Sequence, residues 1–127
     1  MKVLDKTNIL NTIENKQAEL RSTHKKLSLP LINRLYKKMA RGIKFDAIKV
    51  CDSLIIDGHH RYISSLLADV DLETLKSPKT SATIAYDWTE VDFVAKDWDT
   101  QDDILHWNHL DAQSNILALE ELLELTR

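Results

Sequence analysis

Residues 55–62 of this chain read Ile55-Ile56-Asp57-Gly58-His59-His60-Arg61-Tyr62, and the function is expected to depend on them. A short apolar run leads into an Asp-Gly turn, where glycine permits a backbone conformation that other residues resist. A helical pattern follows, and the first N–H groups of a helix have no partners within it. Those donors and the positive end of the helix dipole attract anions. The stretch therefore predicts a strand–turn–helix loop that binds phosphate.

The side chains of the turn suit the same ligand. His59 and His60 add cationic or hydrogen-bonding groups, and Arg61 can grip a phosphate with two parallel hydrogen bonds. Asp57 would repel phosphate unless it orients a histidine, pairs with Arg61 or holds a divalent metal. We predict phosphate binding by Gly58, His59, His60 and Arg61. A catalytic role is predicted for Asp57, His59 and His60, with one histidine as general acid or base near pH 7. The alternative is a plain Asp-Gly turn with two surface histidines.

Upstream of the turn, the sequence predicts two helices and a hairpin. The first helix runs from Asn8 to about His24, with Thr7 as its N-cap. The second begins at Ser28-Leu29-Pro30, because serine caps helices and proline fits their first turn, and Gly42 terminates it. Residues 45–50 have apolar side chains at alternate positions, and a polar break separates them from the apolar run 54–56, which favours two paired strands.

Downstream, the pattern is less regular. A helix continues through residues 61–68, and Leu72 and Leu75 are consistent with its extension as far as the break at Ser77-Pro78. Strands are expected over residues 81–86 and 91–95. A long helix is predicted over residues 102–125, and its apolar stripe is either core or a contact with a second copy or a protein partner.

Bulk properties point to one α+β domain over residues 1–127. A chain of 127 residues fits one core, and only two Gly and two Pro favour helices with a small sheet over a barrel. The single cysteine, Cys51, cannot form an internal disulfide, and no stretch approaches the roughly 20 apolar residues of a membrane span. A cytoplasmic protein without membrane contact is expected.

Charge is unevenly distributed along the chain. The net charge is −3, yet Lys16–Arg61 holds eleven basic residues against four acidic ones, while the second half is acidic. A basic face could meet phosphate while the rest repels it. The alternative is an ordinary solvated surface.

Two weaker patterns resemble metal sites. His106 and His109 share a helical face, and residues 97–103 are rich in carboxylates. A surface polar face explains the first pattern better, and capping of the next helix by Asp99 or Thr100 explains most of the second. No metal-binding residues are assigned. Three further residues are expected to border the phosphate site if their helix packs beside the turn: Asn108, Asp111 and Asn115.

Residues Gly42–Val50 followed by Leu54–Tyr62 resemble the ParB/sulfiredoxin superfamily, especially its ParB-like nuclease domains. The resemblance is good over residues 28–68 and loose over 81–95. It implies a small mixed sheet flanked by helices, with extra helices at both ends and a C-terminal helical region over 101–127. It also implies nucleotide or nucleic-acid phosphate at Gly58–Arg61. Sulfiredoxins have their reactive cysteine where this chain has His59, so that chemistry is not expected.

The function implied is a nuclease or a nucleotide-dependent enzyme acting at the Asp-Gly-His-His-Arg turn. The cofactor is left open between Mg²⁺ and a nucleoside triphosphate. The alternative is a non-catalytic nucleotide- or nucleic-acid-binding module that regulates a protein partner. A third reading is an accessory protein that keeps the loop only as scaffold.

Overall fold

A computed structural model describes residues 4–127 and shows a mixed α+β architecture. This confirms the predicted class. The described residues form five α-helices, a short 3₁₀ turn at Trp88–Glu90, and sheets of two and three strands. In chain order the elements are α1 (Lys6–Asn15), β1 (Lys26–Ser28), α2 (Leu29–Ala40), β2 (Ile48–Cys51), β3 (Leu54–Asp57), α3 (His59–Ala68), β4 (Thr74–Lys76), β5 (Asp92–Val94), α4 (Gln101–Ser114) and α5 (Leu119–Leu125).

The larger sheet has the order β3-β2-β4. Strands β2 and β3 are antiparallel, which confirms the predicted hairpin. Strand β4 pairs parallel with β2. The expected helical extension through Leu75 is therefore wrong. Helix α3 ends because Asp69 adopts a left-handed conformation at φ 57°, and the chain then returns along the edge of β2.

Helix α2 follows the sequence prediction closely. The Ser28 hydroxyl accepts the N–H of Leu31 as N-cap, and Pro30 occupies the first turn, where no N–H partner is needed. The helix ends at Ala40, and Gly42 follows at a φ of 87°, in the left-handed region that glycine tolerates. Its inner face buries Ile32 and Met39.

Helix α1 is shorter than predicted. It ends at Asn15, and Asp5 rather than Thr7 caps it, accepting the Asn8 N–H at 2.8 Å. Residues 21–28 are largely extended, with a bridge from Arg21 to Leu54 and strand β1. The backbone of this segment forms hydrogen bonds beside β3 instead of helical ones. The helical spacing of its apolar residues could not predict this pairing with a segment far away in sequence.

The C-terminal region is two helices where the sequence predicted one. The break falls between Ser114 and Leu119, and Ile116 within it has a φ of 56°. The Asn115 side chain accepts the Lys44 N–H at 2.7 Å and donates to the Lys44 carbonyl at 3.1 Å, which fixes the break against the rest of the domain.

The two strands expected over 81–95 are only partly present. β5 confirms the second of them and pairs parallel with β1, whereas residues 81–86 provide a single bridge from Tyr86 to Ser22. Trp88 follows in the short 3₁₀ turn and is buried in the core.

The main core lies between α1, α2, α3 and the strands. Its buried side chains are Ile9, Leu27, Ile32, Ile55, Ile63, Trp88 and Val91. A second, smaller cluster joins the C-terminal helices to the loop after α2 through Ile43, Ala112 and Leu122. Helices α2 and α3 pack closely, and the Ser64 hydroxyl contacts the Ile32 carbonyl at 2.9 Å. This packing fixes the start of α3. Over residues 4–127, no helix has the length and apolar character needed to cross a membrane.

Candidate functional site

A cleft of about 540 Å³ opens beside the turn between β3 and α3. The turn itself, Asp57–Arg61, forms one wall. Helix α2 forms the second wall with Leu31, Arg34, Leu35 and Lys38. The third wall is α4, which contributes Ile104, Trp107, Asn108, Asp111 and Ser114. The predicted site residues are therefore brought together in one concave surface, and Asn108 and Asp111 border it as expected.

Gly58 makes the turn possible. Its φ of 101° lies in the region that favours glycine, and a Cβ there would sit 2.5 Å from Ile48 Cγ2. Without a side chain Gly58 cannot cap α3, and the first N–H bonded within the helix is that of Tyr62, which reaches the Gly58 carbonyl at 2.9 Å. The three preceding N–H groups belong to His59, His60 and Arg61. They are the donors that a helix start offers to an anion.

His59 is buried at 3% exposure and has a fixed hydrogen-bonding role. Its Nε2 accepts the backbone N–H of Thr23 at 3.0 Å, while the Thr23 hydroxyl donates to the Ile55 carbonyl at 2.6 Å. Because Nε2 is an acceptor, the neutral ring carries its proton on Nδ1. Burial, and then the charges of His24 and His60, lower the pKa of His59 to about 3.

His60 repeats this arrangement one residue later. Its Nε2 accepts the Ser28 N–H at 3.0 Å, and its ring meets Trp98 edge-on at 5.0 Å between centroids. Burial, followed by the charge of His24, lowers the pKa of His60 to about 4. Both imidazoles of the turn are thus neutral at pH 7 and each keeps one Nδ1–H.

These two histidines differ from the sequence expectation in one respect. A general acid or base near pH 7 needs a pKa close to 7 and a free lone pair. In this structure burial disfavours the charged forms of His59 and His60, and backbone N–H groups occupy the Nε2 lone pairs. This arrangement favours neutral hydrogen-bond donation, and the predicted catalytic role stays a prediction.

Arg61 is held to the chain that precedes β2. Its Nη1 donates to the carbonyls of Asp46 and Ala47, at 2.9 and 3.3 Å. Its Nη2 lies 3.7 Å from an Asp57 carboxylate oxygen, so Asp57 takes the ion-pairing option that the sequence left open. The guanidinium brings positive charge to the cleft, with part of its donor capacity already used.

Two cations on the α2 wall are paired with carboxylates. Arg34 binds both oxygens of Asp97, one of them at 2.8 Å, and also Asp99 at 3.0 Å. These bonds lower the pKa of Asp97 and raise that of Arg34. Lys38 Nζ contacts Asp111 at 2.7 Å.

The metal-like patterns have other roles or none. Asp97 and Asp99 bind Arg34, and Thr100 caps α4 by accepting the Asp103 N–H at 3.1 Å. His106 and His109 lie on the exposed surface of α4. Among residues 4–127, no three histidine, cysteine or acidic side chains are grouped so that they could hold a metal ion.

Several residues of the cleft escaped the sequence reasoning. Arg34 and Lys38 had a usable signal, since they are four residues apart on the helix that also carries Leu31 and Leu35. His24 had none, and neither did Thr23, which binds His59 beside the cleft, because their positions depend on pairing between distant segments. Asn115, expected near the turn, instead binds Lys44.

No protein-family model, curated protein or solved structure matches this chain.

Proposed function

We propose that this chain is a phosphate-binding domain of the ParB/sulfiredoxin type that takes a nucleotide, or a nucleic-acid phosphate, and acts as a binding module. The observation that carries the proposal is the uncapped start of α3 flanked by two neutral, cleft-lining imidazoles. Each imidazole uses Nε2 as an acceptor and so has an N–H left to donate.

The donor set suits an anion without needing a protonated histidine. The start of α3 contributes the partial positive charge of the helix dipole and the N–H groups of residues 59–61. Arg61 and Lys44 add full charges at the cleft, and among the described residues Lys44 makes no ion pair. Binding by neutral donors should persist from pH 6 to 8, because neither His59 nor His60 changes charge in that range.

A nucleotide fits the cleft better than free phosphate. Beyond the turn the lining becomes apolar and aromatic, with Phe45, Ile104 and a Trp107 that is 49% exposed. A base can stack on such a surface, and Asn108 beside it offers both a donor and an acceptor. The volume of about 540 Å³ is within the usual range of small-molecule sites.

The superfamily assignment is supported by the order of elements around the turn. A capped helix, a hairpin, a glycine turn and a second helix follow one another over residues 28–68, as the resemblance implies. The residue at the sulfiredoxin cysteine position is His59, whose ring is held by Thr23. We therefore propose the phosphate ligand that the resemblance implies, without the cysteine chemistry of sulfiredoxins.

A matched substitution tests the proposal. In His59→Gln the side-chain carbonyl can still accept the Thr23 N–H, but the Nδ1–H donor is lost. Isothermal titration with a nucleoside triphosphate, and with inorganic phosphate, should show binding by the unchanged protein and about 5- to 10-fold weaker binding by the variant, as for loss of one hydrogen bond. His109→Gln, on the exposed surface of α4, is the control.

Two results would contradict the proposal. One is the absence of any heat or thermal shift with nucleotides or phosphate, since a ligand that binds only the folded state must raise its stability. The other is equal affinity in His59→Gln and the unchanged protein.

A nuclease or nucleotide hydrolase is the second candidate, favoured by one observation. The Asp57 side chain is 64% exposed at the mouth of the turn, next to Arg61, where a carboxylate can orient water or help to hold Mg²⁺. Turnover of nucleotide or single-stranded DNA with Mg²⁺, lost in Asp57→Asn while binding is kept, would establish it. Binding without turnover leaves the binding module.

A further inference from the structure

The second wall of the cleft holds a pair of cations that the turn does not use. Arg34 and Lys38 lie four residues apart on α2, so their side chains share one face of the helix. Both line the same cleft as the phosphate-binding turn. Two adjacent cations on a cleft wall form a natural binding place for an anionic group.

Carboxylates from the C-terminal segment occupy this place. Asp99 lies 3.0 Å from Arg34 and Asp111 lies 2.7 Å from Lys38, and both carboxylates line the cleft themselves. The Lys38 side chain is only 7% exposed, and within residues 4–127 its one ion-pair partner is Asp111. A buried ammonium group needs such a partner, so the position of Asp111 is one that a phosphate oxygen could equally fill.

We propose that residues 97–125 form an autoinhibitory cover in which Asp99 and Asp111 hold the place of an anionic ligand on Arg34 and Lys38. A ligand with more than one phosphate group anchors one group at the start of α3 and with another displaces these two carboxylates from the cations, while Trp107 and Asn108 of α4 stay beside the cleft. This inference rests on the proposed phosphate site and adds its regulation.

Few buried apolar contacts attach the cover to the rest of the domain. Helix α4 buries a single residue, Ala112, in the second core beside Ile43 and Leu122. Leu105, Trp107 and Leu110 on the same helix remain at least 38% exposed. The cover is therefore held largely by its ion pairs and hydrogen bonds, so ligand competition for the two cations removes a main part of its attachment.

The charge of the cover also opposes an anion. Residues 97–125 contain eight acidic residues and no lysine or arginine, a formal charge of −8. With the two carboxylates on the cations, a phosphate entering the cleft meets negative charge at close range. Displacement of these carboxylates by the ligand relieves both the competition and the repulsion.

The test compares ligand affinity when single carboxylates are neutralised. Tripolyphosphate and inorganic phosphate are titrated calorimetrically into the full chain at low salt. Asp111→Asn removes the charge that satisfies Lys38 and should bind tripolyphosphate at least tenfold more tightly. Asp99→Asn should give a smaller gain, because Asp97 still holds Arg34. Asp102→Asn, an exposed acid in the first turn of α4, is the control for lost negative charge and should change affinity less than twofold.

Hydrogen exchange provides a second measurement on the unchanged protein. Amides of α4 should exchange faster when tripolyphosphate is bound, while those of α3 become more protected. Unchanged or slower exchange in α4 would overturn the inference. Circular dichroism melting checks that each variant is folded. If Asp111→Asn does not fold, the comparison is made with Asp99→Asn.

The outcomes separate the two proposals. Binding by the unchanged protein with no gain in Asp111→Asn or Asp99→Asn overturns the cover and keeps the phosphate site. Binding that appears only in these variants supports both. The absence of binding in every protein overturns both together.

Discussion

Mild acid should destabilise this protein through His59 and His60, whose charged forms are disfavoured in the folded state. The pKa values of His59 and His60 are lowered from 6.5 to about 3 and about 4 by burial and neighbouring histidines. Between pH 6.5 and 4 the unfolded chain therefore binds two protons that the folded chain does not. Stability is full above pH 6.5 and is lost as the pH falls towards 4.

The size of the effect follows from the shifts. Each pH unit of difference is equivalent to about 1.4 kcal/mol per group, so lowering the pH from 6 to 4 should reduce the free energy of unfolding by about 4 to 5 kcal/mol. Domains of this size are commonly stable by only about 5 to 15 kcal/mol. The Asp97 carboxylate, whose pKa is lowered by its hydrogen bond to Arg34, contributes separately and only near and below pH 3.8.

Urea unfolding followed by tryptophan fluorescence measures this directly, because Trp88 is buried in the core. The free energy of unfolding is compared at pH 7.5, 6, 5 and 4.5 for the unchanged protein, His59→Gln and the control His109→Gln. His59→Gln keeps the acceptor for Thr23 and should lose about half of the pH dependence. A free energy of unfolding that changes by less than 1 kcal/mol between pH 7.5 and 4.5 would refute the reasoning.

Two further predictions concern stability at neutral pH. Gly58→Ala should lower the free energy of unfolding, measured in urea, by at least about 2 kcal/mol, because the new Cβ would collide with Ile48 at a φ of 101°. Gly42→Ala should lower it by only about 1 kcal/mol, because Gly42 has a φ of 87° but open space around it. Equal losses in the two variants would contradict the steric argument. Lys38→Met alone should lower the free energy of unfolding by about 3 kcal/mol, because it leaves Asp111 without its partner. The double variant Lys38→Met with Asp111→Leu should recover most of this stability in a double-mutant cycle. Additive losses would show that the two side chains are not coupled.

Local sequence signals were sufficient for the elements around the turn. Ser28 and Pro30 set the start of α2, Gly42 follows its end, and Asp57-Gly58 separates β3 from α3. Each of these is a conformational preference of one or two residues, which is why it can be read without the fold. The same reasoning grouped Gly58, His59, His60 and Arg61 and placed them at a helix start.

Elements that depend on pairing between distant segments could not be predicted from local sequence. Residues 16–24 follow a helical pattern, yet Arg21 pairs with Leu54 and β1 pairs with β5. The stretch around Leu75 forms an edge strand because it pairs with β2. Hydrogen bonds to a distant segment outweigh helix propensities of a few tenths of a kcal/mol per residue.

A glycine turn that brings two histidines and an arginine to the start of a helix could be predicted from local sequence. The chemical state of these side chains depends on the packing of distant segments. The extended segment 21–28 provides N–H groups to both imidazoles, and the surrounding fold buries His59 and half-buries His60, which makes both neutral donors. The same folding brings Asp99 and Asp111 onto Arg34 and Lys38. Solvation and ion pairing depend on which distant segments are in contact, and these contacts cannot be predicted from local sequence patterns.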